Sequence, residues 1–313
     1  MAHSNTVPKT VFASTGGGHR LGVSALLRSP GRWLAVAAAM LLCVLQGHAQ
    51  RVHLNASKTY VGELGIGLGA ANYYGDLNAH NGYEAVKPAA GLFFRYFFAD
   101  YFGASLHVRY GRLGYSDVYN DNAYEHYRNL SFNTDVWAFT LQGDFNFFRF
   151  QPGSQKYRIT PYLSLGAGML HFNPYAYYHD QKVYLQPLGT EGQGSDIYPD
   201  REKYALWTLD VPVEIGIKYN LSPLWNLQLS ASYHFTGTDY LDDVSTTYAG
   251  PETFYTKGTE MQHLAAVLQD RSGIYGLRIG QQGRQRGDSR NKDQLVMVQL
   301  SISYLFTRYR CPY

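Results

Sequence analysis

The stretch VPVEIGIKYNLSPLWNLQLSASYHF, residues 211–235, carries Val211, Val213, Ile215, Ile217 and Tyr219 at every second position. After an Asn-Leu-Ser-Pro turn, Trp225, Leu227, Leu229, Ala231, Tyr233 and Phe235 repeat the pattern. A period of two is the signature of strands. The alternate positions hold Pro212, Glu214, Gly216 and Lys218, then Asn226, Gln228, Ser230, Ser232 and His234, so each strand has one oily and one polar face. The same alternation predicts further strands near 61–74, 88–98, 102–112, 136–148, 158–172 and 294–306, which makes eight. Leu64, Ile66 and Leu68 oppose Glu63; Phe94 and Tyr96 oppose Arg95; Leu106 and Val108 oppose His107 and Arg109; Phe139 and Leu141 oppose Gln142 and Asp144. Leu295, Met297 and Leu305 interrupt the polar side of the last strand, and Phe93 and Phe97 share a side with Arg95.

The connections indicate which face is wet. Those after the second, fourth and sixth strands are short, at 99–101, 149–156 and 220–224. Those after the odd strands are long, at 75–87, 114–135, 173–205 and 236–293. Short turns on one rim and long loops on the other characterise barrels that span a bacterial outer membrane, where the oily face meets lipid and the polar face lines the lumen.

The charges agree with that orientation. Glu63, Arg95, Arg109, Asp144, Asp210, Glu214 and Lys218 all fall on the polar side, together with His107 and His234. Seven ionisable groups in the apolar core of a soluble sandwich would be prohibitive unless every one were paired. In a lumen they can pair across strands, and an eight-stranded interior is only wide enough to be filled by side chains. The expected fold is all-β, an eight-stranded antiparallel transmembrane β-barrel with short periplasmic turns, long extracellular loops and a charged plug instead of a wide pore.

The N-terminus supplies the export route. Lys9, Arg20, Arg28 and Arg32 precede the apolar run WLAVAAAMLLCVL, which ends shortly before Gly47-His48-Ala49. A basic region, a short apolar region and small residues before a cleavage point make 1–49 a signal peptide, with 50–313 as the barrel and a short periplasmic C-terminal tail. The apolar run is shorter than the roughly 20 residues a spanning helix needs. Cys43 lacks the small preceding residue of a lipidation site, since Met40-Leu41-Leu42 comes before it.

Removing this leader changes the bulk properties. Of 27 basic and 24 acidic residues, four basic and no acidic ones lie in the leader, which leaves 23 against 24. Near-neutrality excludes a general nucleic-acid binder. Cys311 is then the single cysteine, so no intramolecular disulfide can form. Gly 32, Tyr 28 and Phe 16, with a mean hydropathy of −0.30, suit a barrel whose strands are half lipid-facing and girdled by aromatics.

Several motifs invite chemistry. TDYLDDVS gathers Asp239, Tyr240, Asp242 and Asp243 where the seventh strand meets the longest loop, and Tyr74-Gly75-Asp76 sits on the same rim. The aspartates lack EF-hand spacing, and the plain reading is a hydrogen-bonded loop base. Arg286-Gly287-Asp288 spells an integrin tripeptide, which arises easily by chance. Residues 258–271 read as a short helix with Met261, Leu264, Ala265 and Leu268 on one face. His171, His179 and His234 occur with several serines, but no Gly-x-Ser-x-Gly elbow is present. No catalytic, cofactor or metal residue is assigned, and no small-molecule substrate is expected.

NYYGDL at 72–77, EIGIKYNLSPLWNLQLSASYHFTGTDYLDDVS at 214–245, AAVLQDRS at 265–272, QRGDSRNKD at 285–293 and the terminal RCPY together resemble the PorG-type outer-membrane proteins of Bacteroidota. TDYLDD and the strand pair before it are the most specific part. The resemblance covers most of the mature chain and implies a non-catalytic component of the type IX secretion and gliding machinery. It further implies contact with the periplasmic ring of PorK and PorN, for which Arg310, Cys311, Pro312 and Tyr313 are contact candidates beside the turns and loops. The alternatives are an OmpA-like structural barrel, a small-ligand or ion barrel, and a lipid-modifying enzyme.

Overall fold

The computed structural model describes residues 59–308 apart from 79, 81, 152–155, 256–257 and 277. The leader at 1–49 and the candidates Arg310, Cys311, Pro312 and Tyr313 lie outside the described residues. Eight antiparallel strands form the wall: β1 Thr59–Tyr74, β2 Lys87–Phe97, β3 Phe102–Ser116, β4 Ser131–Asn146, β5 Ile159–His171, β8 Trp207–Ser222, β9 Trp225–Thr236 and β10 Gln294–Arg308. Each pairs with its sequence neighbour, β5 with β8, and β1 pairs with β10, so the sheet closes without a free edge. Closure leaves no open strand edge in the wall, which is the condition for strands to cross hydrocarbon.

The oily faces point outward. Ile66, Leu68, Leu141, Ile215 and Leu229 are among the most exposed side chains, with Leu68 at 73%. Aromatic residues band both ends of this belt. Tyr110, Trp137, His171 and Trp207 lie towards the loop rim, and Phe102, Phe145, Phe147, Trp225, Tyr304 and Phe306 towards the turn rim. An apolar band between two aromatic girdles is the lipid contact of an outer-membrane barrel.

β3 and β4 run beyond their expected ends at 112 and 136, pairing as far as Ser116 and Ser131. The alternation inverts there. Leu113, Tyr115 and Phe132 point inward and are buried, whereas Arg112 and Asp135 point outward and pair at 3.3 Å. Below this level lipid bathes the outer face; above it water does, and the same wall becomes an ordinary half-buried sheet with its oily side in. The anomalous Leu295 and Met297 belong to this upper interior, each 0% exposed. Leu305 closes the other end, where its N–H donates to Leu224 O at 2.9 Å.

The long loops are structured. The third holds a hairpin, β6 Tyr175–Tyr178 and β7 Gln181–Tyr184, joined to β4 through Asn133 and Tyr175. The second holds a short helix, α1 Ala123–Arg128, and the fourth holds α2 Glu260–Gln269. Thr259 caps α2 in a box with Gln262. The buried face of α2 is Ala265, Ala266, Leu268 and Gln269, with Met261 exposed at 55%, so the helix is turned from the face its periodicity suggested. The reason is that Ala265 and Ala266 let α2 approach Phe254 and Ala249 closely. The loops share a core with the upper barrel, in which Tyr73, Leu77, Phe132, Phe172, Leu241, Val244 and Leu268 take part.

Placing a cation on the outer belt tests the orientation. Ile215→Lys should cost about 2–4 kcal/mol if that position lies near the bilayer midplane. Reversible unfolding in denaturant with lipid vesicles measures it, and an unchanged midpoint would contradict lipid contact.

Candidate functional site

Two polar assemblies occupy the molecule, one in the lumen and one where the loops meet the wall. The lumen assembly is centred on Arg95, which is 0% exposed. Its guanidinium binds Glu63 from β1 and Asp144 from β4, and Nη1 donates to Gln228 Oε1 at 3.0 Å. Arg109 of β3 reaches across the lumen to Glu214 of β8, whose other oxygen accepts from Tyr162 Oη at 2.5 Å. Lys218 Nζ lies 3.9 Å from Asp144 and 3.1 Å from Asn146 Oδ1. Asn226 and Ser303 complete Glu63 at 2.6 and 2.8 Å. Every wall strand therefore contributes a group.

Charge balance explains why this interior is tolerable. Glu63, Asp144 and Glu214 meet Arg95, Arg109 and Lys218, three of each sign in mutual contact. Buried charges persist only when paired and hydrogen-bonded in this way. Asp210 stands apart from the six, bound to His234 Nδ1 at 2.9 Å. Phe93 seals the space beside Arg95, stacked on His107 at 5.4 Å between centroids. The space lined by Gly91, His107, Arg109, Ser230 and Gln299 has no room for a water-sized sphere.

The second assembly ties four loops together. Arg128 of α1 clasps Asp117 through Nε at 2.8 Å and Nη2 at 2.7 Å, and donates to Arg286 O at 2.8 Å and Asp76 O at 3.3 Å. Arg286 in turn holds Glu191 at 3.1 Å and Asp243 at 3.5 Å. Glu191 also accepts from the N–H groups of Ser245 and Thr246 at 2.9 and 3.0 Å, and Asp243 accepts from Tyr204 Oη at 2.7 Å. Tyr240 stacks on Tyr204 at 4.5 Å, and Asp239 accepts from Ser245 Oγ at 2.6 Å. Asp76 accepts from the Asp288 N–H at 2.8 Å. Tyr74 is half-buried at the end of β1, and Gly75 begins the first loop.

A family model described as Domain of unknown function (DUF6089) matches residues 41–252, more than half of the chain. The chain belongs to that family. No curated protein matches the sequence. Among solved structures, this DUF6089 barrel is similar to Neisserial surface protein A at 8% identity and a TM-score of 0.40, covering 80% of this chain and 100% of that one. It is similar to Ail, the attachment invasion locus protein of Yersinia pestis, at 12% identity and 0.37, covering 80% and 99%. The outer-membrane enzyme PagL matches at 10% identity and 0.28, covering 77% and 97%.

The DUF6089 lumen contains one arrangement that imitates a catalytic centre. Ser232 Oγ lies 3.1 Å from His234 Nε2, and Nδ1 of the same ring meets Asp210. Nucleophile, base and orienting acid are in line. Ser232 and His234 are 2% and 0% exposed, so an ester has no approach, and the three serve as a cross-strand brace between β8 and β9. The tripeptide at 286–288 is equally committed: Arg286 is buried and fully bonded, which removes it from any receptor. Among the described residues no group of histidine, cysteine, aspartate and glutamate is arranged to hold a metal ion.

Sequence reasoning passed over Tyr73, Asp117, Arg128, Glu191, Arg286 and Asp293 in the loop assembly. Arg128 and Asp117 share the second loop and Arg286 and Asp243 the fourth, 11 and 43 residues apart, and the other partners come from different segments, so no local spacing links them.

Removing Arg95 strands two buried carboxylates. Arg95→Met should cost about 3–5 kcal/mol in unfolding from detergent or vesicles. Adding Glu63→Gln and Asp144→Asn should restore part of it, since the orphaned charges disappear. In the loop assembly, burial pushes Asp76 and Asp243 up to about 6 and Asp239 up to about 7. Raised carboxyl values mean that the closed loops hold protons that open ones release. Their closure should be firmest in acid and weaken as pH rises through 6 to 7, measured as faster amide exchange in 236–293 with the wall strands unchanged.

Proposed function

We propose that this barrel is a non-catalytic outer-membrane component of the type IX secretion and gliding machinery, which anchors or assembles with the periplasmic ring of PorK and PorN. The filled lumen is the observation that supports a role through contacts instead of conduction. A passage would need space between Arg95, Arg109 and Glu214, but Arg109 closes on Glu214 and Gln228 bridges Arg95 and Glu214 at 3.0 and 3.5 Å. The resemblance of TDYLDD, NYYGDL and the QRGDSRNKD run gives the role its specific form. In the loop assembly these same segments supply Asp239, Asp242, Asp243, Asp76, Arg286 and Asp293, which hold the cap together. They are thus structural determinants of this kind of barrel, and the ring contact falls to other surfaces: the turn rim at 98–101, 147–158 and 223–224, and the C-terminal tail.

Mild crosslinking in cells should recover PorK and PorN with the barrel, and truncation after residue 308 or charge reversal at Arg149 and Lys156 should reduce that recovery. A deletion that leaves secretion and gliding intact would exclude the reading. Planar bilayers should show no stepwise conductance from the purified protein; regular steps would favour an ion barrel.

A further inference from the structure

At the neck of the longest loop, Tyr73 Oη lies 2.6 Å from Asp242 Oδ2 and 2.9 Å from Asp293 Oδ1. All three residues are about 1% exposed. A phenol has one hydrogen to donate. It can satisfy one carboxylate, and an oxygen of the other at 2.9 Å is then held against the phenol oxygen with no hydrogen between them. The contact becomes a hydrogen bond when that second carboxyl is protonated and donates to Tyr73.

The remaining oxygens are already engaged. Asp242 Oδ1 accepts the Val244 N–H at 2.9 Å, and Asp293 Oδ2 accepts the Leu241 N–H at 2.8 Å. The charged surroundings do not replace the proton. Asp76 from the first loop acts on Asp242 and Asp239 from the fourth acts on Asp293, each adding negative charge, while Arg286 acts on Asp242 in the opposite sense. The nearby cations Arg128 and Arg286 are bound to Asp117, Glu191 and Asp243, while Lys292 acts on Asp239. Gly75 roofs the contact: a Cβ there would fall 1.9 Å from Asp293 Oδ1 and 2.0 Å from Tyr73 Oη. Burial and the surrounding negative charge push both Asp242 and Asp293 well above the usual carboxylate range.

The location gives the proton a task. Asp242 lies near the start of the fourth loop and Asp293 is its last residue, immediately before β10. Asp293 also receives the Thr236 hydroxyl on its carbonyl at 2.6 Å and donates its N–H to Thr238 O at 3.0 Å. We propose that Asp242 and Asp293 share one proton across the Tyr73 hydroxyl as a latch that cinches the neck of the fourth loop against β1, and that alkaline pH releases it. The occupant is a proton from solvent, and the moving part is the loop at 236–293.

The test uses the full mature protein in detergent micelles. Above about pH 8 the neighbours Asp76, Asp239 and Asp243 are ionised, so any further pH dependence of loop opening reports the pair. One proton corresponds to a tenfold change per pH unit in the opening equilibrium. Cleavage within 236–293 by a protease of known pH profile should therefore rise with pH in the parent, by up to about tenfold per unit, with the wall intact. Asp293→Asn and Asp242→Asn each put an amide N–H where the proton was, so each should flatten that slope and keep the loop closed at pH 9. Infrared spectra should show a buried protonated carboxyl in the parent at about pH 8, where Asp76, Asp239 and Asp243 are ionised, and this band should be lost in both variants. A parent without slope, a slope that survives both substitutions, or a carboxyl band that persists in both would overturn the proposal. A loop left open at every pH in both variants would overturn it equally, since the amide is built to fit the latch.

Discussion

Hydrocarbon outside the wall is the constraint from which the other features follow. It forces leucine, isoleucine and phenylalanine outward, requires a closed sheet because no strand edge can meet lipid, and leaves the interior to whatever the strands can satisfy among themselves. With eight strands that interior is too narrow for a water column, so each inward charge must find an opposite one within the protein. The arrangement around Arg95 is the outcome: carboxylates and cations in equal number, bridged by tyrosine, asparagine, glutamine and serine from the other strands.

The wall was legible in the sequence because its physics is local. Period-two alternation at Val211–Phe235 and the segregation of short and long connections reported strands, order and orientation. Leu295, Met297 and Leu305 looked like faults in β10 until depth was taken into account. The first two sit where the outside has become water, and there an inward oily residue is the ordinary choice. The ends of β3 and β4 were missed for the same reason, since Arg112 and Asp135 facing out reverse the rule used to find the strand. The lumen residues could be named but not paired, because Arg109 and Glu214 meet across the barrel and not along it. The loop assembly was half visible. TDYLDD announced a cluster of acids, yet its cations Arg128 and Arg286 come from other places in the chain, the second inside a tripeptide that suggested a different reading.

Above the membrane the chain behaves as a small soluble domain set on a barrel. Its oily core descends into the upper lumen through Tyr73, Phe132 and Met297, and its ion pairs run between loops instead of between strands. This continuity fixes the loops relative to the wall, so the outer face presents a shaped surface and not a set of free segments.

The lumen network also bears on how such a chain reaches its final state. Glu63, on the first strand, is satisfied by Asn226 and Ser303 from the last two, and Arg95 draws on Gln228 from the penultimate one. A sheet still open between β1 and β10 would leave these charges facing lipid with part of their hydrogen bonding missing. Insertion is thereby coupled to completion: intermediates that stop short of the final seam are penalised, and the seam itself becomes the committing step of biogenesis.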